Sequence, residues 1–272
     1  KAKLRRLYLD SCSITDVGLL MLSGLRHLHY FSVGWCGPKV TNIGIDWIGE
    51  NRQMRILGLA STGVKSIQFI QHMRFLHELN LSGCQLHNPG LTHSASFPYL
   101  TNLYLPRTPS KEIPLALLQP SILTFDLSFS SGITAAKLVA HIEQWAAHQQ
   151  ASFIPSVLEN SPAVSTVIAE GALSRSLSSL ASSVVSGTND LPTSTHLAIS
   201  SSHTLQLRTL LLESCCIDNR VASVIGENCP NLTHLNVADT HITSNGLLAL
   251  APLKQLRTLN FSGCKVHNHG LR

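Results

Sequence analysis

The 272-residue sequence predicts an open α/β solenoid of short stacked repeats, and three observations lead to this fold. One phrase of leucines recurs along the chain, its copies start at nearly constant intervals, and one long segment interrupts the series. A single unit of this size cannot bury its own apolar face, so stability has to come from stacking neighbouring units. An apolar fraction of 44% is enough for the continuous core that such stacking creates.

The recurring phrase is Leu, two residues, Leu, one residue, Leu, two residues, Cys, with another aliphatic residue soon afterwards. Its nine copies begin at Leu4, Leu28, Met54, Leu76, Leu100, Ile122, Leu207, Leu232 and Leu256. Outside the interruption, successive copies start 22 to 26 residues apart. This period is that of a leucine-rich repeat, in which each unit supplies a short strand and then returns over the convex side.

The cysteine position of the phrase is filled throughout by small residues that can donate a hydrogen bond. Its occupants in chain order are Cys12, Cys36, Thr62, Cys84, Thr108, Ser130, Cys215, Thr240 and Cys264. A thiol or hydroxyl at the end of each strand can satisfy a backbone carbonyl while packing against its neighbours. The sequence therefore predicts that these five cysteines are reduced and buried, and that they are neither redox residues nor metal ligands.

The phrase resembles the cysteine-containing class of leucine-rich repeats, known from the substrate-binding halves of F-box proteins. The resemblance covers residues 4 to about 135 and 207 to 272. It implies an open horseshoe with strands on the concave face, and a protein-interaction scaffold or adaptor that binds a protein partner and no small-molecule substrate. The alternative function is the substrate-recognition part of a ubiquitin ligase, with ligase subunits as partners and an F-box or RING module outside this segment.

Polar residues that follow the aliphatic residue of each phrase are predicted to start convex helices. Their side-chain oxygens can cap the free N–H groups of a helix N-terminus. The predicted caps are Thr15, Thr41, Thr134, Asp218 and Thr243.

The interruption divides the chain into N-terminal repeats at 1–135, an insertion at 136–205 and C-terminal repeats at 206–272. Between Ile122 and Leu207 lie 85 residues, where one repeat would use about 24. Three degenerate repeats are the alternative, but the phrase would lose two of its three leucines there. The insertion is either an appendage for partner binding or phosphorylation, or a surface excursion that the solenoid tolerates.

Within the interruption, helical spacing of apolar residues predicts a helix from Thr134 to Gln150. A second helix is expected to begin at Ser161 and Pro162, because proline favours the first helical position. The stretch from Ser174 to Ser202 is rich in serine and is expected to be mobile.

The composition argues against several other kinds of partner. The net charge of +5 arises from 20 basic and 15 acidic residues that are scattered without runs of Lys or Arg, which argues against a nucleic-acid partner. The mean hydropathy is +0.16, yet no apolar run approaches the roughly 18 to 20 residues that cross a bilayer, so no membrane association is expected. The odd number of cysteines, with Cys215 and Cys216 adjacent, favours a cytoplasmic location, with the nucleus as the alternative.

No motif of catalysis or cofactor binding stands out, so the sequence predicts neither an enzyme nor a cofactor. It contains no Gly-x-Ser-x-Gly turn, no glycine-rich phosphate loop and no close pair of carboxylates. The best metal-binding candidates are Cys84 with His87, and Cys264 with His267 and His269. Zinc needs about four convergent ligands, whereas the histidines here occupy the capping position that threonine fills in other repeats.

The candidate binding surface is the concave face, where residues between the buried leucines point outward. Exposed tyrosines often anchor interfaces, so Tyr8, Tyr30 and Tyr104 are the leading candidates. Tyrosine is also common on strands because of its β-propensity, and this is the alternative explanation. The predicted partner-binding residues are Arg6, Tyr8, Asp10, Tyr30, Glu78, Asn80, Asn102, Tyr104, Asp126, His234 and Asn236.

Overall fold

The computed structural model describes residues 4–86, 97–108, 117–119, 121–151 and 205–267. Nine strands of three residues each form one parallel sheet whose order follows the chain. Their bounds are Arg6–Tyr8 (β1), Tyr30–Ser32 (β2), Ile56–Gly58 (β3), Glu78–Asn80 (β4), Asn102–Tyr104 (β5), Thr124–Asp126 (β6), Thr209–Leu211 (β7), His234–Asn236 (β8) and Thr258–Asn260 (β9). Each strand begins two residues after the start of a predicted copy, and the open leucine-rich-repeat solenoid is confirmed.

The middle residue of every strand belongs to the core, because side chains alternate along a strand and the register aligns equivalent positions. The aligned middle residues are Leu7, Phe31, Leu57, Leu79, Leu103, Phe125, Leu210, Leu235 and Leu259. From β2 to β8 they are buried, whereas Leu7 and Leu259 are half-buried. The outermost strands have a neighbour on one side only, so their apolar residues stay partly accessible.

Short helices return the chain on the other side of this core. Among the described residues, the α-helices are Asp16–Leu20 (α1), Asn42–Ile45 (α2), Ala135–Ala151 (α3), Asn219–Asn228 (α4) and Ser244–Ala249 (α5), and two 3₁₀-helices span Asp46–Glu50 and Gln68–His72. Their apolar residues join the strand leucines in one cluster. Two of the predicted caps form: the Thr41 hydroxyl accepts the N–H of Ile43, and the Asp218 carboxylate accepts the N–H of Arg220.

Other predicted caps have a different role. Thr15 and Thr243 occupy the N-cap positions of α1 and α5, but their side chains do not accept a helix N–H. The Thr243 hydroxyl accepts a hydrogen bond from Asn219 Nδ2 at 2.9 Å, and Asn219 Oδ1 accepts the N–H of Thr243 at 2.9 Å. Thr134 lies directly before α3, where its carbonyl accepts the N–H of Leu138. At Thr243, the bond to Asn219 of the preceding repeat thus uses the hydroxyl that the sequence assigns to capping.

The cysteine position donates to the preceding repeat. The thiols of Cys36, Cys84, Cys215 and Cys264 lie 3.1 to 3.2 Å from a carbonyl oxygen at the end of the preceding strand segment, as in Cys215 to Leu127. The Ser130 hydroxyl makes the same bond to the Leu105 carbonyl at 3.0 Å. Thr62 and Thr240 instead donate to the carbonyl three residues earlier in their own repeat. Seven of the nine positions thus hold a small donor that binds a carbonyl, whereas the buried hydroxyl of Thr108 has no hydrogen-bond partner among the described residues.

Burial of these thiols follows the position of the repeat in the array. Cys84 and Cys215 are buried, Cys36 and Cys264 are half-buried, and Cys12 is exposed. The prediction that all five are buried is wrong for Cys12, because no described repeat precedes β1 and offers a carbonyl or a packing surface, and it holds only in part for Cys36 and Cys264. All seven cysteines of the chain are free thiols.

The strands β6 and β7 pair directly across the interruption, with Phe125 aligned to Leu210. Helix α3 confirms the predicted helix after Thr134, and its Trp145 packs edge-on against Phe125 with ring centroids 6.2 Å apart. Trp145 Nε1 also donates to the carbonyl of Gln119 at 3.2 Å. The predicted second helix at Ser161 and the serine-rich stretch from Ser174 lie outside the described residues.

Candidate functional site

The predicted binding residues lie together on the side of the sheet that faces away from the core, here called the outward sheet face. Arg6, Tyr30, Glu78, Asn102 and His234 occupy the first position of their strands. Five others occupy the third position, namely Tyr8, Asn80, Tyr104, Asp126 and Asn236. Asp10 follows β1 by two residues. Parallel register therefore converts residues that are distant in sequence into two straight rows about 4.8 Å from strand to strand.

The first two strands present an aromatic and charged group. The guanidinium of Arg6 lies over the ring of Tyr30, 4.5 Å from its centroid, and Tyr8 is 59% exposed. The carboxylate of Asp10 accepts hydrogen bonds from the Ser32 hydroxyl and from the N–H of Gly34. The contact with Tyr30 holds Arg6 in place and the two hydrogen bonds hold Asp10 in place, while the Tyr8 ring stays available to a partner.

The middle of the outward sheet face is acidic. Burial of the Tyr104 side chain raises the pKa of its phenol, and the nearby carboxylates of Glu78 and Asp126 raise it further. Tyr104 is therefore a neutral hydrogen-bond donor between two negative charges. Such a group suits a partner surface that offers basic and apolar side chains.

Some of the predicted binding residues also hold the turn that follows their strand. The Asn80 side chain accepts the N–H of Ser82 at 3.0 Å, and Asp126 and Asn236 accept the N–H two residues later in the same way, at 2.9 and 3.0 Å. Asn and Asp commonly stabilise turns by this bond. These three side chains are thus structural as well as accessible, which the alternation pattern alone does not reveal.

The last three strands form a shallow depression of about 360 Å³ on the outward sheet face, next to Glu213. Glu213 accepts a hydrogen bond from Asn236 Nδ2 at 2.9 Å, so it adds a carboxylate that an amide donor holds in place. Two leucines and five polar residues line the depression. Its lining residues are Thr209, Leu211, His234, Leu235, Asn236, Thr258 and Asn260.

The C-terminal rim of the sheet, where the strands end, carries large side chains that the sequence reasoning misses. The residue before each cysteine position has a left-handed backbone, with φ between 51° and 72°; these residues are Ser11, Trp35, Ser61, Gly83, Arg107, Phe129, Ser214, Asp239 and Gly263. The signal in the sequence is the glycine at Gly83 and Gly263, since this backbone favours glycine. From Ser11 to Asp239 their N–H groups donate to a carbonyl of the next repeat, as in Trp35 to Ala60 at 2.6 Å.

Three of these rim residues are bulky and accessible. Trp35 is 60% exposed, and the guanidinium of Arg107 lies 5.3 Å from the ring centroid of the exposed Phe129. A bulky residue with a positive φ is uncommon and costs free energy that the surrounding structure has to offset. The repeat architecture imposes this backbone at all nine positions, so the rim displays Trp35, Arg107 and Phe129 in fixed orientations beside the outward sheet face.

The buried thiols are protected from ionisation. Burial raises the pKa of Cys84, that of Cys215 to about 11 and that of Cys229 to about 12. Because the thiolate is the nucleophilic and metal-binding form, these groups act as packing residues and hydrogen-bond donors. Among the described residues, no group of three or more His, Cys, Asp and Glu side chains is placed to hold a metal ion. His87 and His269, from the candidate metal sets, lie outside those residues.

No helix in the described part of the chain combines the length and the apolar character that a membrane crossing needs.

Three segments of the chain match the family model described as leucine-rich repeat, at residues 1–23, 72–92 and 228–251. They contain the copies that begin at Leu4, Leu76 and Leu232. The match is to leucine-rich repeats in general and does not single out the cysteine-containing class. Comparison with curated proteins gives no match.

Solved structures share the fold at low sequence identity. An internalin from Listeria monocytogenes is 15% identical with a TM-score of 0.54, and the match covers 98% of this chain and 64% of that chain. The structure of the mouse RP105/MD-1 complex is 18% identical with a TM-score of 0.55, and the match covers 97% of this chain and 35% of that chain. The structure of the complex of TLR13 with ssRNA13 is 16% identical with a TM-score of 0.52, and the match covers 98% of this chain and 34% of that chain. The chain thus spans less than two thirds of each of these proteins, and the likeness concerns the fold.

Proposed function

We propose that this repeat array is a protein-interaction scaffold that binds a partner protein on its outward sheet face. The observation that carries the proposal is the fixed register of tyrosines and carboxylates over the strands, above all the half-buried Tyr104 between Glu78 and Asp126. Side chains held on a rigid sheet lose little conformational freedom when a partner docks. Tyrosine adds a large contact area at the same low entropic cost.

The arrangement also indicates the chemistry of the partner. Glu78, Asp126 and Glu213 place negative charge along the middle of the face, and Tyr8 with the Arg6–Tyr30 pair lies toward one end. A partner with basic side chains opposite the carboxylates and an apolar patch opposite the tyrosines would be complementary. The RP105/MD-1 structure, in which a protein of the same fold is found in a complex, supports a protein partner for this fold.

The test is affinity capture with the full 272-residue chain and quantitative mass spectrometry of the proteins retained. The variants Tyr8→Ala and Tyr104→Ala should each lower the retention of the same partner about tenfold, because they remove large aromatic anchors. The matched control is Ile43→Ala on the convex side, where Ile43 is 72% exposed and lies away from the outward sheet face. Equal retention by all three variants, or equal loss, would contradict the proposal.

A narrower form of this function is substrate recognition within a ubiquitin ligase. The observation that favours it is the donation from four cysteine thiols to the preceding repeat, because this gives the cysteine position of the phrase a structural purpose. The parent gene read beyond both ends should then encode an F-box or RING module, and a parent protein without either module would exclude this narrower role. We also propose a cytoplasmic location, with the nucleus as the alternative, which imaging of a fluorescent fusion tests.

A further inference from the structure

Basic side chains gather at the N-terminal rim of the sheet, which is defined here by the residues directly before each strand and the short turns that lead to them. The residues before the strands are joined by backbone hydrogen bonds from one repeat to the next, as in Arg55 to His29 at 2.7 Å and His77 to Arg55 at 2.7 Å. In strand order they are Arg5, His29, Arg55, His77, Thr101, Leu123, Arg208, Thr233 and Arg257. This row contains four arginines, two histidines and no acidic residue.

A second set of arginines lies beside the second, third and fourth positions of that row. Arg26, Arg52 and Arg74 occupy the same position in three consecutive repeats, three residues before His29, Arg55 and His77, and all three are exposed. Arg26 forms an ion pair with Glu50 at 3.1 Å. For Arg5, Arg52, Arg55 and Arg74, the described residues offer no ion pair. Their positive charge is therefore available to a ligand.

Flat aromatic faces stand in the same rim. Phe75 and Tyr99 directly precede the first leucines of two adjacent repeats, and their rings stack with centroids 6.0 Å apart and an interplanar angle of 11°. The ring of His77 is also nearly parallel to that of Tyr99, at 5.7 Å and 12°. Phe75 is 41% exposed and Tyr99 is 51% exposed, so these rings remain accessible although they stack on one another.

We propose that the N-terminal rim of the first five repeats binds a single-stranded nucleic acid. The row from Arg5 to His77 holds two arginines and two histidines at a strand spacing of about 4.8 Å, with Arg52 and Arg74 beside them, and these donors can contact a chain of phosphates. The stack of Phe75, His77 and Tyr99 offers the aromatic platform on which unpaired bases stack. An acidic peptide would use the arginines but would have no need of parallel, accessible rings.

The carboxylates of the adjoining outward sheet face confine a bound polyanion to the rim. Glu78 follows His77 directly, and its carboxylate lies on the outward sheet face with that of Asp126. A polyanion is repelled from those carboxylates and attracted to the arginines of the rim, of which Arg5 and Arg55 directly precede β1 and β3. The nucleic-acid site is therefore separate from the surface proposed for a protein partner, and it does not depend on that proposal.

The experiment measures the fluorescence anisotropy of a labelled oligouridylate of about 12 nucleotides with the full chain, between about 50 and 200 mM salt. Binding should weaken with salt, with a log–log slope of roughly −3 if four arginines contact phosphates. Arg55→Glu with Arg74→Glu should weaken binding at least about tenfold and flatten that slope. The matched control reverses two exposed lysines outside the rim, Lys39→Glu with Lys65→Glu, and should change the affinity less than about twofold.

A second arm separates stacking from charge. Tyr99→Ser should weaken oligouridylate binding about fivefold without changing the salt slope, and a duplex of equal charge should bind more weakly than the single strand. An oligodeoxythymidylate of the same length identifies the preferred sugar, and binding of either oligonucleotide at this rim supports the proposal. The proposal is overturned if neither oligonucleotide binds at low salt, if both charge-reversal pairs weaken binding equally, or if polyglutamate competes as well as the oligonucleotide while Tyr99→Ser has no effect.

Discussion

The outward sheet face and the N-terminal rim are built from the same strands, yet they differ in charge and chemistry. His77 and Glu78 are neighbours in sequence, but His77 belongs to a rim of arginines and stacked rings, whereas Glu78 belongs to a face of carboxylates and tyrosines. In a parallel array each sequence position becomes a row, so a shift of one residue selects a different surface. The difference teaches that a repeat protein can carry two independent binding surfaces on one core.

The largest effect should come from the core that both surfaces share. Leu103, the buried middle residue of β5, directly precedes Tyr104 of the outward sheet face and lies four residues after Tyr99 of the N-terminal rim. Leu103→Ala should lower the free energy of unfolding by about 3 kcal/mol, because it leaves a cavity between two neighbouring strands. Urea unfolding followed by circular dichroism measures this loss.

The control for that variant is Leu259→Ala in β9, where the leucine is half-buried and about 1 kcal/mol is expected. Both binding activities should fall together in Leu103→Ala as the folded fraction falls. Loss of one binding activity with full retention of the other would show that the two surfaces do not depend on the same core.

The second prediction uses pH to change the charge of one core residue. The pKa of Cys215 is raised by burial to about 11, from an ordinary value of 9.0. Between about pH 9 and 11 the unfolded thiol loses its proton while the folded thiol keeps it, so stability present below pH 9 is progressively lost, by about 2 kcal/mol at pH 11. Unfolding of the wild type and of Cys215→Ser across this window measures the loss as a difference.

Cys215→Ser should remove that part of the pH dependence, since a serine hydroxyl does not titrate and Ser130 already makes the equivalent hydrogen bond. Cys216→Ser is the matched control, because Cys216 is adjacent and exposed. If both variants flattened the pH dependence equally, burial of Cys215 would not be its cause.

The third prediction separates the two surfaces directly. Tyr104→Ala should weaken capture of the protein partner about tenfold and leave oligonucleotide affinity unchanged, and Tyr99→Ala should do the reverse. Affinity capture and anisotropy on the same protein preparations provide the two readouts. A folded variant that weakens the binding of both ligands equally would show that the two surfaces are a single site.

The smallest expected effect is a difference in stability between two asparagine variants of the outward sheet face. Asn80→Ala should cost about 1 kcal/mol of stability because the N–H and hydroxyl of Ser82 lose their acceptor. Asn102→Ala, one strand away, should change stability by less than about 0.5 kcal/mol, because the Asn102 side chain makes no hydrogen bond to a described residue. Equal costs measured by thermal unfolding would mean that the turn bond of Asn80 contributes nothing.

The alternation of buried and outward residues made the strands and the outward sheet face predictable from the sequence. Leu79 and its equivalents define the inward positions, and Glu78 and Asn80 follow as outward ones. The turn bonds of Asn80 and Asp126 were not predictable in this way, because alternation tells which way a side chain points and not what it binds.

The N-terminal rim escaped the sequence reasoning for a different reason. Arg5 and Arg55 are 50 residues apart and belong to no basic run, yet only His29 separates them in the row that the sheet creates. A search for clustered Lys and Arg along the chain cannot find charges whose neighbours lie one repeat away. The exposure of Cys12 follows from context as well, since the same position of the phrase is buried at Cys84 and Cys215, each of which has a described repeat on both sides.

The most direct test of two separate surfaces is site-specific photo-crosslinking in cell extract. A photoreactive phenylalanine analogue replaces Tyr104 on the outward sheet face in one sample and Tyr99 on the N-terminal rim in another. The adduct formed from position 104 should resist nuclease and disappear on protease digestion, whereas the adduct from position 99 should be shortened by nuclease. Adducts of the same composition from both positions would contradict the claim that this array carries a protein site and a separate nucleic-acid site.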